Sequence, residues 1–178
     1  TSTSSLIFGG YTTTRVGNTE SWDGTSWTET ADLNTVRTGL AGGGASSTDA
    51  VAFAGDIHPT SPRFATQTET WDGTAWTEVN ELNTGRLDLS GAGMTSSQAI
   101  ASGGANTPNS ENETETWNGT SWTEQSELVT ASRYAACGTN GSAVSSIVSG
   151  GSSTGPSQNE TTVQEWTSDN TLSTVTVS

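Results

Sequence analysis

The sequence predicts an all-β fold built from four short sheets. Three observations predict it. The chain repeats with a period of 46–49 residues, each clear repeat carries a turn dipeptide between two tryptophans, and no segment shows a helical period. Trp22-Asp23-Gly24-Thr25-Ser26-Trp27-Thr28-Glu29 returns as Trp71-Asp72-Gly73-Thr74-Ala75-Trp76-Thr77-Glu78 and again as Trp117-Asn118-Gly119-Thr120-Ser121-Trp122-Thr123-Glu124. A degenerate fourth copy begins at Glu165-Trp166.

Each repeat supplies four candidate strands. A short apolar run ends on a glycine step: Leu6 to Gly10, Val51 to Gly55, Ile100 to Gly104 and Ile147 to Gly151. A second strand leads into the turn (Thr19 to Trp22 and its equivalents), and a third leaves it (Ser26 to Thr28). Asp-Gly and Asn-Gly are the strongest two-residue hairpin signals, because both residues tolerate positive φ. After Leu33 to Arg37, Leu82 to Arg86 and Leu128 to Arg133 come runs of small residues, Gly39 to Ala45, Leu89 to Met94 and Ala135 to Gly138. Four antiparallel strands per repeat are the content of a β-propeller blade.

The repeats divide a single domain, 1–178, roughly into 1–37, 38–86, 87–133 and 134–178. The chain starts in the middle of a repeat and ends in an alternating segment, 171–178. The last blade is therefore expected to be split between the termini. Closure within one chain is the favoured arrangement. The alternative pairs 171–178 with a neighbouring copy, giving a homo-oligomer or filament, since an unpaired edge invites strand addition. Because the first residue is Thr1, the chain is expected to derive from something longer.

Composition narrows the function. Hydrophobic residues make up 29% and the net charge is −14, values that also occur in disordered chains. Seven Trp in register argue for order instead. Each buried indole removes about 150–250 Å² from water, an upper-bound contribution of several kcal/mol per ring. The five cations are all Arg and face nineteen acids, which argues against binding to a nucleic-acid backbone or an anionic membrane. No apolar run reaches the length of about 20 residues that a membrane helix needs.

The pattern resembles the Kelch repeat: a double glycine, an aromatic followed by Asp at a turn, a second Trp, then Leu and Arg. The matching residues are Gly9-Gly10, Gly103-Gly104 and Gly150-Gly151, then Trp22-Asp23 and Trp71-Asp72, then Trp27, Trp76 and Trp122, then Arg37, Arg86 and Arg133. Trp replaces the family's usual Tyr, Ala54-Gly55 breaks one double glycine, Asn118 replaces one Asp, and the fourth repeat lacks Leu and Arg. The wording around the turns is similar to Kelch-type repeats in structural proteins of marine bacteriophages. The resemblance implies a Kelch-like β-propeller and a non-enzymatic structural protein of a virion appendage or extracellular fibre.

Chemistry is sparse. His58, in a loop with two prolines, is expected to be solvated, and a lone histidine makes a zinc site improbable. Counting from Arg133 puts Cys137 level with Ala41 and Ser90, so it is expected to be a small packing residue. Glu20, Glu29, Glu69, Glu78, Glu115 and Glu124 recur with the repeat and are expected to face solvent, since a catalytic residue would occur once. The repeated Trp22, Trp27, Arg37, Trp71, Trp76, Arg86, Trp117, Trp122, Arg133 and Trp166 read as structural, each Arg pairing with a carboxylate or with carbonyls. No catalytic residue, metal or cofactor is expected. The loops between glycine step and first Trp vary most in length, and loops on one face are where binding would sit. Tyr11, Arg15, His58, Arg63, Phe64, Asn106 and Asn109 are the candidates there. The alternative function is therefore adhesion to a cell-surface glycan or receptor. Asn112, Asn118, Asn140 and Asn159 match the N-glycosylation acceptor pattern, which chance also explains in so Thr-rich a chain.

Overall fold

A computed structural model of the chain describes residues 3–106, 109–139, 145–153, 161–167 and 173–174. The described elements are all strands: β1 (Ser5–Tyr11), β2 (Arg15–Trp22), β3 (Trp27–Glu29), β4 (Ala41–Ser46), β5 (Asp49–Phe53), β6 (Thr68–Trp71), β7 (Trp76–Val79), β8 (Ser90–Thr95), β9 (Gln98–Ser102), β10 (Thr114–Trp117), β11 (Trp122–Glu124), β12 (Ala136–Thr139), β13 (Ser145–Ser149), β14 (Val163–Thr167) and β15 (Ser173–Thr174). They form four antiparallel sheets, each from consecutive strands: β1-β2-β3, β4-β5-β6-β7, β8-β9-β10-β11 and β12-β13-β14-β15.

The first strands of the last three sheets touch in series, β4 against β8 and β8 against β12, and the described residues form no closed ring. Their glycines explain the close approach. A Cβ on Gly91 would strike Ala41 at 2.6 Å and the Phe53 ring at 2.8 Å. Between sheets the core is built from few large anchors. Ala50, Ala52, Trp71 and Trp76 of the second sheet pack with Leu33 against Leu6, Phe8 and Leu40. Val51 and Phe53, on the other face of that sheet, pack against Ala99, Ala101, Trp117 and Trp122 of the third. Alternation along β5 thus serves two interfaces, which is why a 29% hydrophobic chain can be ordered.

Three expectations are corrected. Among the described residues no sheet is shared between the termini: β1, β2 and β3 pair with one another, and β15 pairs with β14 of the fourth sheet. The described part of the tail, Ser173–Thr174, lies beside β14 instead of along the outer edge of β1. The rest of 171–178 lies outside the described residues.

The hairpin loop is also one residue longer than the three, 23–25, that the expected strand bounds leave. Trp22 pairs with Trp27, Trp71 with Trp76 and Trp117 with Trp122, which leaves four residues in each loop. Only the glycine takes positive φ, +98°, +95° and +91° in turn. The preceding side chain closes the loop: Asp23 Oδ1 accepts from the amides of Thr25 (2.8 Å) and Ser26 (2.9 Å), and Asp72 and Asn118 repeat this. Direct pairing stacks each tryptophan couple with centroids 5.4–5.5 Å apart.

The third correction is of register. Gly10 donates to Arg37 O, Gly55 to Arg86 O and Gly104 to Ser132 O. Ser132 therefore holds the arginine position of its repeat, and Arg133 lies one residue beyond it, level with Thr38 and Leu87. Ser132 follows Leu128 by four residues, as Arg37 follows Leu33 and Arg86 follows Leu82, so serine replaces arginine there and Arg133 is the next residue. The same shift places Cys137, opposite Val148, level with Gly42 and Gly91 rather than with Ala41 and Ser90. Burial pushes the Cys137 thiol up to about 11, so it stays protonated at neutral pH.

Candidate functional site

The joint between sheets is one unit repeated. In the second and third sheets, the strand before the turn presents a carboxylate to the loop that leaves the preceding sheet. Glu69 and Glu115 are buried, contrary to the expectation that the repeated acids face solvent. A buried carboxylate needs partners, and each receives a full set. Glu69 Oε2 accepts from the Asn34 amide (2.7 Å) and Asn34 Nδ2 (2.9 Å), and Oε1 accepts from Arg37 Nη2 (2.9 Å). Glu115 takes the same bonds from Asn83 (2.9 and 2.8 Å) and Arg86 (2.8 Å). The guanidiniums also cap carbonyls, Arg37 that of Gln67 and Arg86 that of Glu113, each at 2.6 Å. Burial lowers both arginine pKa values from the ordinary one, and the facing glutamates oppose that shift.

The second half of the joint is aromatic. Trp76 Nε1 donates to Thr19 Oγ1 and Trp122 Nε1 to Thr68 Oγ1, both at 2.9 Å and both across a sheet interface. Phe8 meets Trp76 edge-on at 5.0 Å, and Phe53 meets Trp122 at 4.9 Å. The fourth repeat replaces these parts together. Gln164 stands where Glu69 and Glu115 stand, and Ser132 where the arginines do. Gln164 Oε1 accepts from the Thr130 amide at 3.1 Å, and Ser132 Oγ donates to Gly150 O at 3.0 Å.

The expected binding loops contribute a second arrangement. Asp56 draws together Arg15 (2.7 Å) and Arg63 (2.8 Å), and it also accepts from the His58 amide at 2.8 Å. Burial alone would raise the Asp56 carboxyl, but hydrogen bonds from Arg63 and Arg15 hold it well below the usual carboxylate range. Beside this cluster lies an open hollow of about 560 Å³, lined among the described residues by Arg63, Phe64, Leu87, Asp88, Ala105, Arg133 and Tyr134. Arg63 lies over Phe64 at 5.8 Å and Arg133 over Tyr134 at 5.4 Å.

Of the loop candidates, Arg63 and Phe64 line the hollow and Arg15 braces it through Asp56. Tyr11 and His58 are exposed, Asn106 is half-buried and Asn109 exposed, and none of the four lines it. Sequence reasoning missed Asp88 and Tyr134, and it assigned Arg133 to the joint. The available signal was the residue after each arginine position but one, Gly39, Asp88 and Tyr134, all of which take positive φ. Among the potential glycosylation acceptors, Asn112 donates to Glu127 and Asn118 closes its turn, while Asn140 and Asn159 lie outside the described residues. Among the described residues no group of three or more His, Cys, Asp or Glu side chains could hold a metal ion. No known family model matches the chain, and no curated protein matches it significantly.

Proposed function

We propose that this chain is a non-enzymatic structural and interaction module, a Kelch-like propeller segment of a virion appendage or extracellular fibre, which associates through the outer face of its first sheet. The observation that carries the reading is the state of that face. Trp27 is 45% exposed, while its equivalents Trp76 and Trp122 are 5% and 6% exposed. Ile7 is 52% exposed, while Ala52 and Ala101 in its position are fully buried. The indole that two other repeats bury against a neighbour stands open here, next to an isoleucine at a position that is buried elsewhere, as in interaction surfaces. Arg37, Glu69, Arg86 and Glu115 support the same reading, because they are used in holding sheets together.

Light scattering with electron microscopy of the intact protein tests this. Association that rises with concentration and is abolished by Ile7→Asp is the expected result. A discrete monomer at every concentration, with Trp27 as shielded as Trp76, would contradict it.

A second reading, adhesion to a glycan or receptor, is favoured by the hollow of Arg63, Phe64, Arg133 and Tyr134. Stacked arginine–aromatic pairs suit the faces and carboxylates of acidic saccharides. Glycan-array binding that is lost in Arg133→Ala and Tyr134→Ala is its expected outcome, and silence across acidic and neutral glycans would remove it.

A further inference from the structure

We infer that the first sheet is a socket for a strand segment of the form Leu-Asn-Thr-x-Arg followed by a run of small residues, supplied from outside these 178 residues. The inference rests on the proposed role of that sheet as a docking face, and it names what docks. Three vacancies lie together. First, among the described residues the sheet has three strands where the others have four, and none of them is the counterpart of β4, β8 and β12. A cavity of about 320 Å³ lies there, walled by Leu6 and Phe8 on one side and Gly42, Gly43, Gly44 and Ala50 on the other. In the next sheet the corresponding space beside Phe53 and Gly91 is filled by β4, with Ala41 against Gly91.

Second, Glu20 lies opposite Ile7 and Glu29, as Glu69 lies opposite Ala52 and Glu78, and as Glu115 lies opposite Ala101 and Glu124. Glu69 and Glu115 each receive an Asn amide, an Asn side chain and an Arg. Glu20 has no side-chain partner among the described residues. Third, the Trp27 indole lacks the threonine acceptor that Trp76 and Trp122 have among the described residues.

One continuous stretch fills the first two vacancies elsewhere. Residues 33–46 bring Asn34 and Arg37 to Glu69 and then become β4; residues 82–95 bring Asn83 and Arg86 to Glu115 and then become β8. The fourth sheet of a second copy offers a poor substitute. It has Val163 at the threonine position and Ser149 at the phenylalanine position, and no Leu-x-x-x-Arg follows Trp166. Contact between copies therefore uses apolar area alone, whereas a segment of the stated form adds a strand ladder and a charge pair.

The test adds a synthetic peptide of residues 82–95 to the intact protein and reads binding by calorimetry and by tryptophan emission. One-to-one binding that shields Trp27 is expected. It should weaken by at least about tenfold when the peptide carries Arg86→Ala, or when the protein carries Glu20→Gln. Trp27→Phe, a second variant with Glu20 intact, should still bind but lose the emission change. Absence of binding, or binding indifferent to both Arg86→Ala and Glu20→Gln, would overturn the inference. If the protein associates with itself yet ignores the peptide, the segment is wrong and the docking face stands. If it binds the peptide and remains a monomer alone, the socket stands and self-association falls.

Discussion

At the scale of single residues, the stack depends on buried charged groups that pair with one another across the joint. Arg37 and Glu69 are both inaccessible to solvent, so removing either leaves the other charged and unpaired. Arg37→Ala should cost about 3–5 kcal/mol by chemical denaturation. The fourth repeat shows the neutral solution, serine with glutamine. The double variant Arg37→Ser with Glu69→Gln should therefore recover much of that loss. A double variant no more stable than Arg37→Ala would mean that the pair is not the coupled unit described. The tryptophan joint makes a smaller, directional claim. Trp122→Phe keeps most of the packing against Phe53 but leaves the buried Thr68 hydroxyl without its donor, and should cost about 1–3 kcal/mol. Asp56 sets a pH dependence. Its carboxyl is held below the ordinary value of 3.8, so the bonds to Arg15 and Arg63 contribute fully above that pH and are lost as pH falls below it. Amide exchange at Ile57 and His58 should stay slow at pH 5 and quicken only in stronger acid. Quickening between pH 6 and 5 would contradict the assignment.

At the scale of the element, the turn is the most exact part. Gly73 takes φ +95°, and a Cβ there would meet the Thr48 side chain at 3.0 Å. Gly73→Ala should cost about 1–2 kcal/mol, measured by thermal or chemical unfolding. Asn118→Asp should be close to neutral, since Asp23 and Asp72 make the same two bonds in their turns. This is also the scale at which the sequence was most legible. Apolar runs, glycine steps and turn dipeptides located the strands, because each is a local signal with a local cause. What it hid was register. Whether Asp-Gly closes a loop of three residues or four depends on which tryptophan faces which, and that is decided by stacking across the strands. Ser132 stands at the arginine position and Arg133 one residue beyond the joint, as the bond from Gly104 to Ser132 O and the Arg133–Ser152 bridge show. Burial of Glu69 and Glu115 was hidden for a related reason. Glu20, Glu69 and Glu115 are identical in the sequence, and only the presence or absence of a neighbouring loop separates buried from open.

At the scale of the whole molecule, the same joint is made twice in full, altered in the fourth repeat and left open at the first. Three of the five arginines are outside the two joints, and Arg15, Arg63 and Arg133 lie on the loop side near Asp56 and Tyr134. Any ligand site on that side is therefore separate from the sheet-to-sheet contacts. Arg133→Ala should abolish glycan adhesion, if present, while leaving association unchanged. The central claim is that the first sheet keeps an open, tryptophan-bearing face. Acrylamide quenching of the intact protein, compared with Trp27→Phe, tests it most directly. The account predicts that the substitution removes the most accessible share of the quenchable emission while the transition on unfolding barely moves. An unchanged quenching profile, with Trp27→Phe as destabilising as Trp122→Phe, would show that the face is closed and contradict the account.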